Sequence, residues 1–150
     1  MLESSPEVDV VRPRMGRYVV RVDLAVLADY ATVTADQKLV IVGVFDVIQA
    51  KTVPVLHPSM YVALRICSGV IDNGDHTVVV RLVDPDGKSL GPELKADFTV
   101  SVPLEDDGEG ALQLVMGMGN VEFKEFGPYA VDILIDDRFE DTVALRLRES

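Results

Sequence analysis

The stretch from Gly127 to Leu147 constrains the fold more than any other part of the chain. Tyr129, Val131, Ile133 and Ile135 occupy every second position, with Asp132 set among them and Asp136 just beyond. After a short polar connection, Val143, Leu145 and Leu147 repeat the alternation against Thr142, Arg146 and Arg148. Successive side chains on a strand point to opposite faces, so this pattern describes an antiparallel hairpin with one face in a core and one in water.

The same alternation recurs upstream. Val20, Val22, Leu24, Val26 and Ala28 share one face of a first strand, opposite Arg21, Asp23 and Asp29. Thr34 to Lys38 reads as a turn. Leu39 to Ala50 then departs from the pattern: Leu39, Ile41 and Phe45 form one face, yet Val40, Val42, Val44 and Ile48 make the other face apolar too. Such a strand is either covered on both sides or shows an apolar stripe to a partner. Gly43 in its middle marks a bulge or a close backbone approach. Val62, Leu64 and Ile66 line a third strand. Asp72-Asn73-Gly74-Asp75 then carries the Asn-Gly pair that favours a hairpin turn. Val78, Val80 and Leu82 line the fourth strand, and Asp84-Pro85-Asp86-Gly87 supplies a further turn. Ala96, Phe98, Val100 and Val102 line the fifth strand, and Leu112, Leu114, Met116 and Met118 the sixth. No segment of useful length has helical periodicity. About eight strands at near-regular spacing predict a sandwich or barrel. Residues 1–17 show neither period and read as a flexible tail, leaving 18–150 as one all-β domain.

Gly127-Pro128-Tyr129 narrows the choice to an immunoglobulin-like antiparallel β-sandwich of about seven to eight strands. In that fold a tyrosine opening a late strand turns its hydroxyl onto upstream backbone, the tyrosine corner. The other reading of Tyr129 is a core aromatic with a wet tip.

Composition limits function. A net charge of −11 is a poor match for phosphate backbones, which argues against nucleic acid. No apolar run reaches the ~18–20 residues of a membrane span. Cys67 is the one cysteine, so no internal disulfide exists and stability rests on packing. With no basic region followed by an apolar run near the start, the expected compartment is the cytoplasm.

Three stretches, Leu27-Ala28-Asp29-Tyr30-Ala31, Lys38 to Asp46 and Leu82 to Lys88, together with Gly127-Pro128-Tyr129, resemble a family of small, stand-alone bacterial proteins known only as a domain of unknown function. The resemblance covers roughly Val20 to Leu147. It implies a β-sandwich without an assigned activity, and it carries over no catalytic or binding residues.

Candidate chemistry is sparse. Asp72, Asp75, Asp84 and Asp86, with Asp106, Asp107 and Glu109, resemble fragments of a calcium site, but turn chemistry explains the first four without a metal. His57, His76 and Cys67 have no zinc-ligand spacing. Arg65 lies two residues from Cys67 on one face, an arrangement able to lower a thiol pKa, set against the commoner buried and inert cysteine. Asp136 and Asp137 read as a solvated turn beside Arg138 rather than an acid–base pair. Nothing here meets the requirements of a nucleophile, base and orienter, and no catalytic, metal or cofactor residue is assigned. The remaining features are surfaces: the Val40-Val42-Val44 stripe, and a face of Val115 and Gly117 flat enough for another backbone. Both suit a subunit or protein contact, or cover by loops of the same chain. The sequence therefore predicts a module that binds a protein partner or itself. A ligand- or calcium-binding module on the loops at one end is the alternative.

Overall fold

The computed structural model describes residues 20–103 and 110–150. The expected tail and the acidic residues 105–109 lie outside them. Among the described residues there are nine strands and no α-helix: β1 Arg21–Val33, β2 Leu39–Phe45, β3 Val47–Ala50, β4 Val55–Ser68, β5 Gly74–Val83, β6 Leu94–Val100, β7 Gly110–Phe123, β8 Gly127–Ile135 and β9 Arg138–Glu149. They form a four-stranded sheet, β2-β1-β4-β7, and a five-stranded sheet, β3-β9-β8-β5-β6. In the immunoglobulin scheme β5, β8 and β9 stand as strands C, F and G, and β1, β4 and β7 as A, B and E.

Residues of alternating parity meet between the sheets. Val78, Val80, Val131, Ile133, Leu145 and Leu147 from one sheet join Leu27, Met60, Val62, Leu64 and Ile66 from the other in a single buried core. Each such side chain contributes roughly 1.5–3 kcal/mol of burial. Tyr129 packs edge-on against Phe123 at 4.9 Å, and its hydroxyl donates to the Glu125 carbonyl at 2.7 Å. That bond is the tyrosine corner. The outer face of the five-stranded sheet is polar and internally paired: Thr77 donates to Asp97, Thr99 to Asp75 and Thr142 to Asp132.

Four local expectations change. A bulge between Val22 and Leu24 on β1 adds one residue against β4. Val20, Val22, Ala25 and Leu27 therefore face the core, while Leu24, Val26 and Ala28 turn outward. The stretch Leu39 to Ala50 is two strands. Its chain breaks at Asp46 and changes sheets, and β3 pairs in parallel with β9. The doubly apolar pattern arises because Ile48 and Ala50 join the core from the second sheet, while Val40, Val42 and Val44 face solvent from the first. Asn73-Gly74 makes no hairpin. It carries the chain from β4 in one sheet to β5 in the other, and the Asn73 side chain is bonded twice to the backbone of Val102. β4 is also longer than its apolar run, starting at Val55.

Candidate functional site

The paired strands β1 and β2 leave their sheet. β1 pairs with β4 only as far as Ala28 opposite Tyr61. Beyond that point β4 carries Pro58, which has no N–H to offer a neighbouring strand, and proline is tolerated in a sheet only where no partner needs that donor. Freed from β4, the hairpin from Asp29 to Val44 becomes an arm. At its base Gly43 has φ +72, and a Cβ there would lie 2.5 Å from the Asp29 carboxylate oxygen, so only glycine fits the kink.

The arm doubles back. Ala28 lies level with Gly117 through Tyr61, so a straight continuation would carry the turn at Gln37 roughly 40 Å from Gln113. Instead the Gln113 amide donates to the Gln37 carbonyl at 2.8 Å. Gln37 holds a positive φ at the turn, and the turn is closed by Thr34, whose hydroxyl accepts from the Lys38 N–H. Gln113 is itself held by Arg65, which also pairs with Asp23 at 3.1 Å. Asp23, Arg65, Gln113 and Gln37 thus form a polar strap across three strands and the arm tip. Ala28 and Ala63 are fully buried although they lie on the outward side of the sheet and outside the main core. The folded-back arm passes above them.

The two faces of the arm differ. Ala31 is buried and Val33, Leu39 and Ile41 are half-buried. Tyr30, Val40, Val42 and Val44 are 48%, 40%, 54% and 62% exposed. Tyr30 and Val42 sit opposite each other in the arm, as do Thr32 and Val40, so the exposed residues form one continuous outward row. The second expected surface is different. Val115 is half-buried and Gly117 is exposed, but the Tyr61 ring lies 3.1 Å from where a Gly117 Cβ would be. Tyr61 in turn meets Tyr30 edge-on at 5.4 Å. The chain's own tyrosine stands over the glycine, between it and Tyr30 of the row.

A second cluster lies at one end of the sandwich. His76 places Nδ1 2.6 Å from the Asp136 carboxylate and Nε2 2.6 Å from the Asp72 carbonyl. Both ring nitrogens face acceptors, which the doubly protonated imidazolium satisfies. Burial alone lowers the His76 pKa, but the bonds to Asp136 and Asp72 outweigh it and hold the pKa above the ordinary histidine value. Burial likewise raises the Asp136 pKa, and the bonds from His76 and the Thr77 N–H outweigh it, holding the carboxyl below its ordinary range. Asp136 and Asp137 both have positive φ and make the tight β8–β9 turn. The cluster ties that turn to β5; sequence spacing gave no sign of it, because 60 residues separate the partners.

The other singled-out residues do not converge. Asp84 accepts from the N–H groups of Asp86 and Lys88, as a turn aspartate does. Asp72 accepts from the Gly69 N–H. His57 lies on β4 beside Phe45 and His76 on β5, in different sheets. Cys67 is buried. Among the described residues no group of three or more His, Cys, Asp or Glu side chains is placed to hold a metal ion. None of the described helices is long and apolar enough to cross a membrane. An open notch of about 260 Å³ lies where the chain passes from β2 to β3; Asp46 is the one ionisable residue among those lining it.

The sequence matches the family of unknown function DUF6941 over residues 23–148, and the chain belongs to that family. No curated protein matches it significantly. Among solved structures, an alkylpurine DNA glycosylase from Pseudomonas fluorescens is similar at TM-score 0.48 and 9% identity, over 86% of this chain and 30% of that one. A β-glucosidase from Listeria innocua is similar at TM-score 0.45 and 10% identity, over 95% of this chain and 18% of that one. An immunoglobulin-like protein from Pseudomonas aeruginosa is similar at TM-score 0.41 and 16% identity, over 87% and 97% of the two chains. The chain spans less than a third of the glycosylase and of the glucosidase.

Proposed function

We propose that this member of the family works by binding, with the outward row of the arm as a docking surface for a protein partner. One observation carries the reading: Tyr30, Val40, Val42 and Val44 stay exposed on an arm that the strap fixes in place. Scattered single apolar residues on a surface need no explanation, but a continuous row rimmed by polar groups marks a contact site. Leu56, Ile71 and Phe139, by contrast, are exposed one at a time on separate elements. The strap also lowers the cost of binding, because a surface already ordered loses little conformational freedom on contact. The acidic surface favours basic groups at the rim of the partner.

Val42→Lys tests the proposal. Val42 is more than half exposed, so the substitution leaves the melting temperature within a degree or two. Capture from native lysate, with the captured partner identified by mass spectrometry, compares the two proteins. Loss of association in the variant supports the arm as the contact. An unchanged binding profile refutes it.

A further inference from the structure

β7 is an edge strand. It pairs with β4 along its whole length, from Gly110 opposite Ser68 to Phe123 opposite Val55, and no described residue pairs with its other side. Exposed edges invite further strands, and proteins blunt them with charge, proline or short length. The other sheet's edge strand β6 is short and carries Lys95 and Asp97. β2 is equally short and kinked at Gly43. β7 has none of these devices: from Gly110 to Val121 it contains no charged residue and no proline. Its regular backbone extends to Gly119, before the positive φ of Asn120.

The core-facing side of β7 is unfinished as well. Leu112, Leu114, Met116 and Met118 point inward and pack on the core, yet all four are only half-buried. One more strand beside β7 would cover them.

We infer that the open edge of β7 pairs antiparallel with β7 of a second copy of this chain, about a two-fold axis perpendicular to the sheet. The two four-stranded sheets then run on as one sheet of eight. A two-fold axis in this direction keeps inward residues inward, so Leu112 to Met118 of each copy meet their counterparts and complete the core at the seam. Charge selects the occupant. A chain with 25 acidic and 14 basic residues repels itself over most of its surface, and the Gly110–Val121 strip is where two copies meet without like charges face to face. This contact is separate from the docking row on the arm.

Single cysteines at Gln113, Val115 and Gly119, each bridged by a short bis-maleimide, test it, with the wild-type chain and its buried Cys67 as background. Sedimentation velocity gives the mass. The expected result is a dimer whose bridging yield peaks at one of these positions and falls several-fold at Ala111. Val42→Lys leaves both readouts unchanged, so failure of the arm reading and failure of this one are distinguishable. A monomeric mass with background bridging at all positions overturns the inference. So does a dimer that Val42→Lys dissolves.

Discussion

Removing the hydroxyl of Tyr129 isolates one feature on which the sandwich assignment rests. The ring is 4% exposed and packed edge-on against Phe123, and the hydroxyl makes one bond, to the Glu125 carbonyl. Tyr129→Phe keeps the ring and its packing. It deletes that bond and leaves a carbonyl to water or to nothing. A single neutral hydrogen bond contributes about 0.5–1.5 kcal/mol net. For a domain of this size, each 1 kcal/mol moves the melting temperature by roughly 2–4 °C. The expected result in calorimetry is therefore a drop of about 1–6 °C, with an unchanged denaturant slope. Tyr129→Ala, which also empties the ring's site, costs on the order of 3–5 kcal/mol by analogy with large-to-small core changes. A Phe variant as stable as wild type, or one as damaged as the Ala variant, refutes the reasoning: the first removes the bond's contribution, the second makes the ring's packing irrelevant.

Two further outcomes follow from the geometry. His76 has a raised pKa in the folded state, so its contribution is complete below the ordinary value of 6.5 and is lost as pH rises through the folded pKa. Asp136 has a lowered pKa, so its contribution is complete above the ordinary value of 3.8 and is lost as pH falls through the folded pKa. Melting temperature against pH should show this pair's contribution fullest between those two values, and Asp136→Asn should flatten the decline on the alkaline side; an identical profile in the variant contradicts the pairing. Gly43→Ala forces a side chain into a positive φ and onto Asp29, a loss larger than the roughly 0.4–1 kcal/mol that the same replacement gains where the backbone suits alanine. Combining it with Asp29→Ala should recover part of the loss in chemical denaturation, and strict additivity would remove the contact from the explanation.

The parts of the fold that the sequence made legible are those ruled by local parity. The β8–β9 hairpin, the inward sets of β5 and β6, the turn at Asp84 and the corner tyrosine each follow from residues a few positions apart. Where the sequence misled, a longer-range event intervened. The bulge at Asp23 shifted the inward set of β1 by one residue, and nothing in a run of Val, Leu and Ala marks an unpaired residue. The break at Asp46 was hidden because apolar residues continue on both sides of it, although the excess of valine on the outer face was its trace. The arm depends on Pro58 and Gly43 acting 15 residues apart in different strands, and on a Gln37–Gln113 bond spanning 76 residues. The stripe at Val40, Val42 and Val44 was visible as composition. Its place on an outward-facing arm was not.

The doubling back of the arm over its own sheet sets which of its residues face outward. Nitroxide labels at Ala35→Cys and Ala111→Cys, exposed positions two residues from Gln37 and Gln113 that leave their bond intact, read this directly by pulsed dipolar spectroscopy. The labels should lie at short range, near the lower limit of the method, as the bond between Gln113 and Gln37 requires. A distribution centred near 40 Å, the value for a hairpin continuing straight along its sheet, would contradict it.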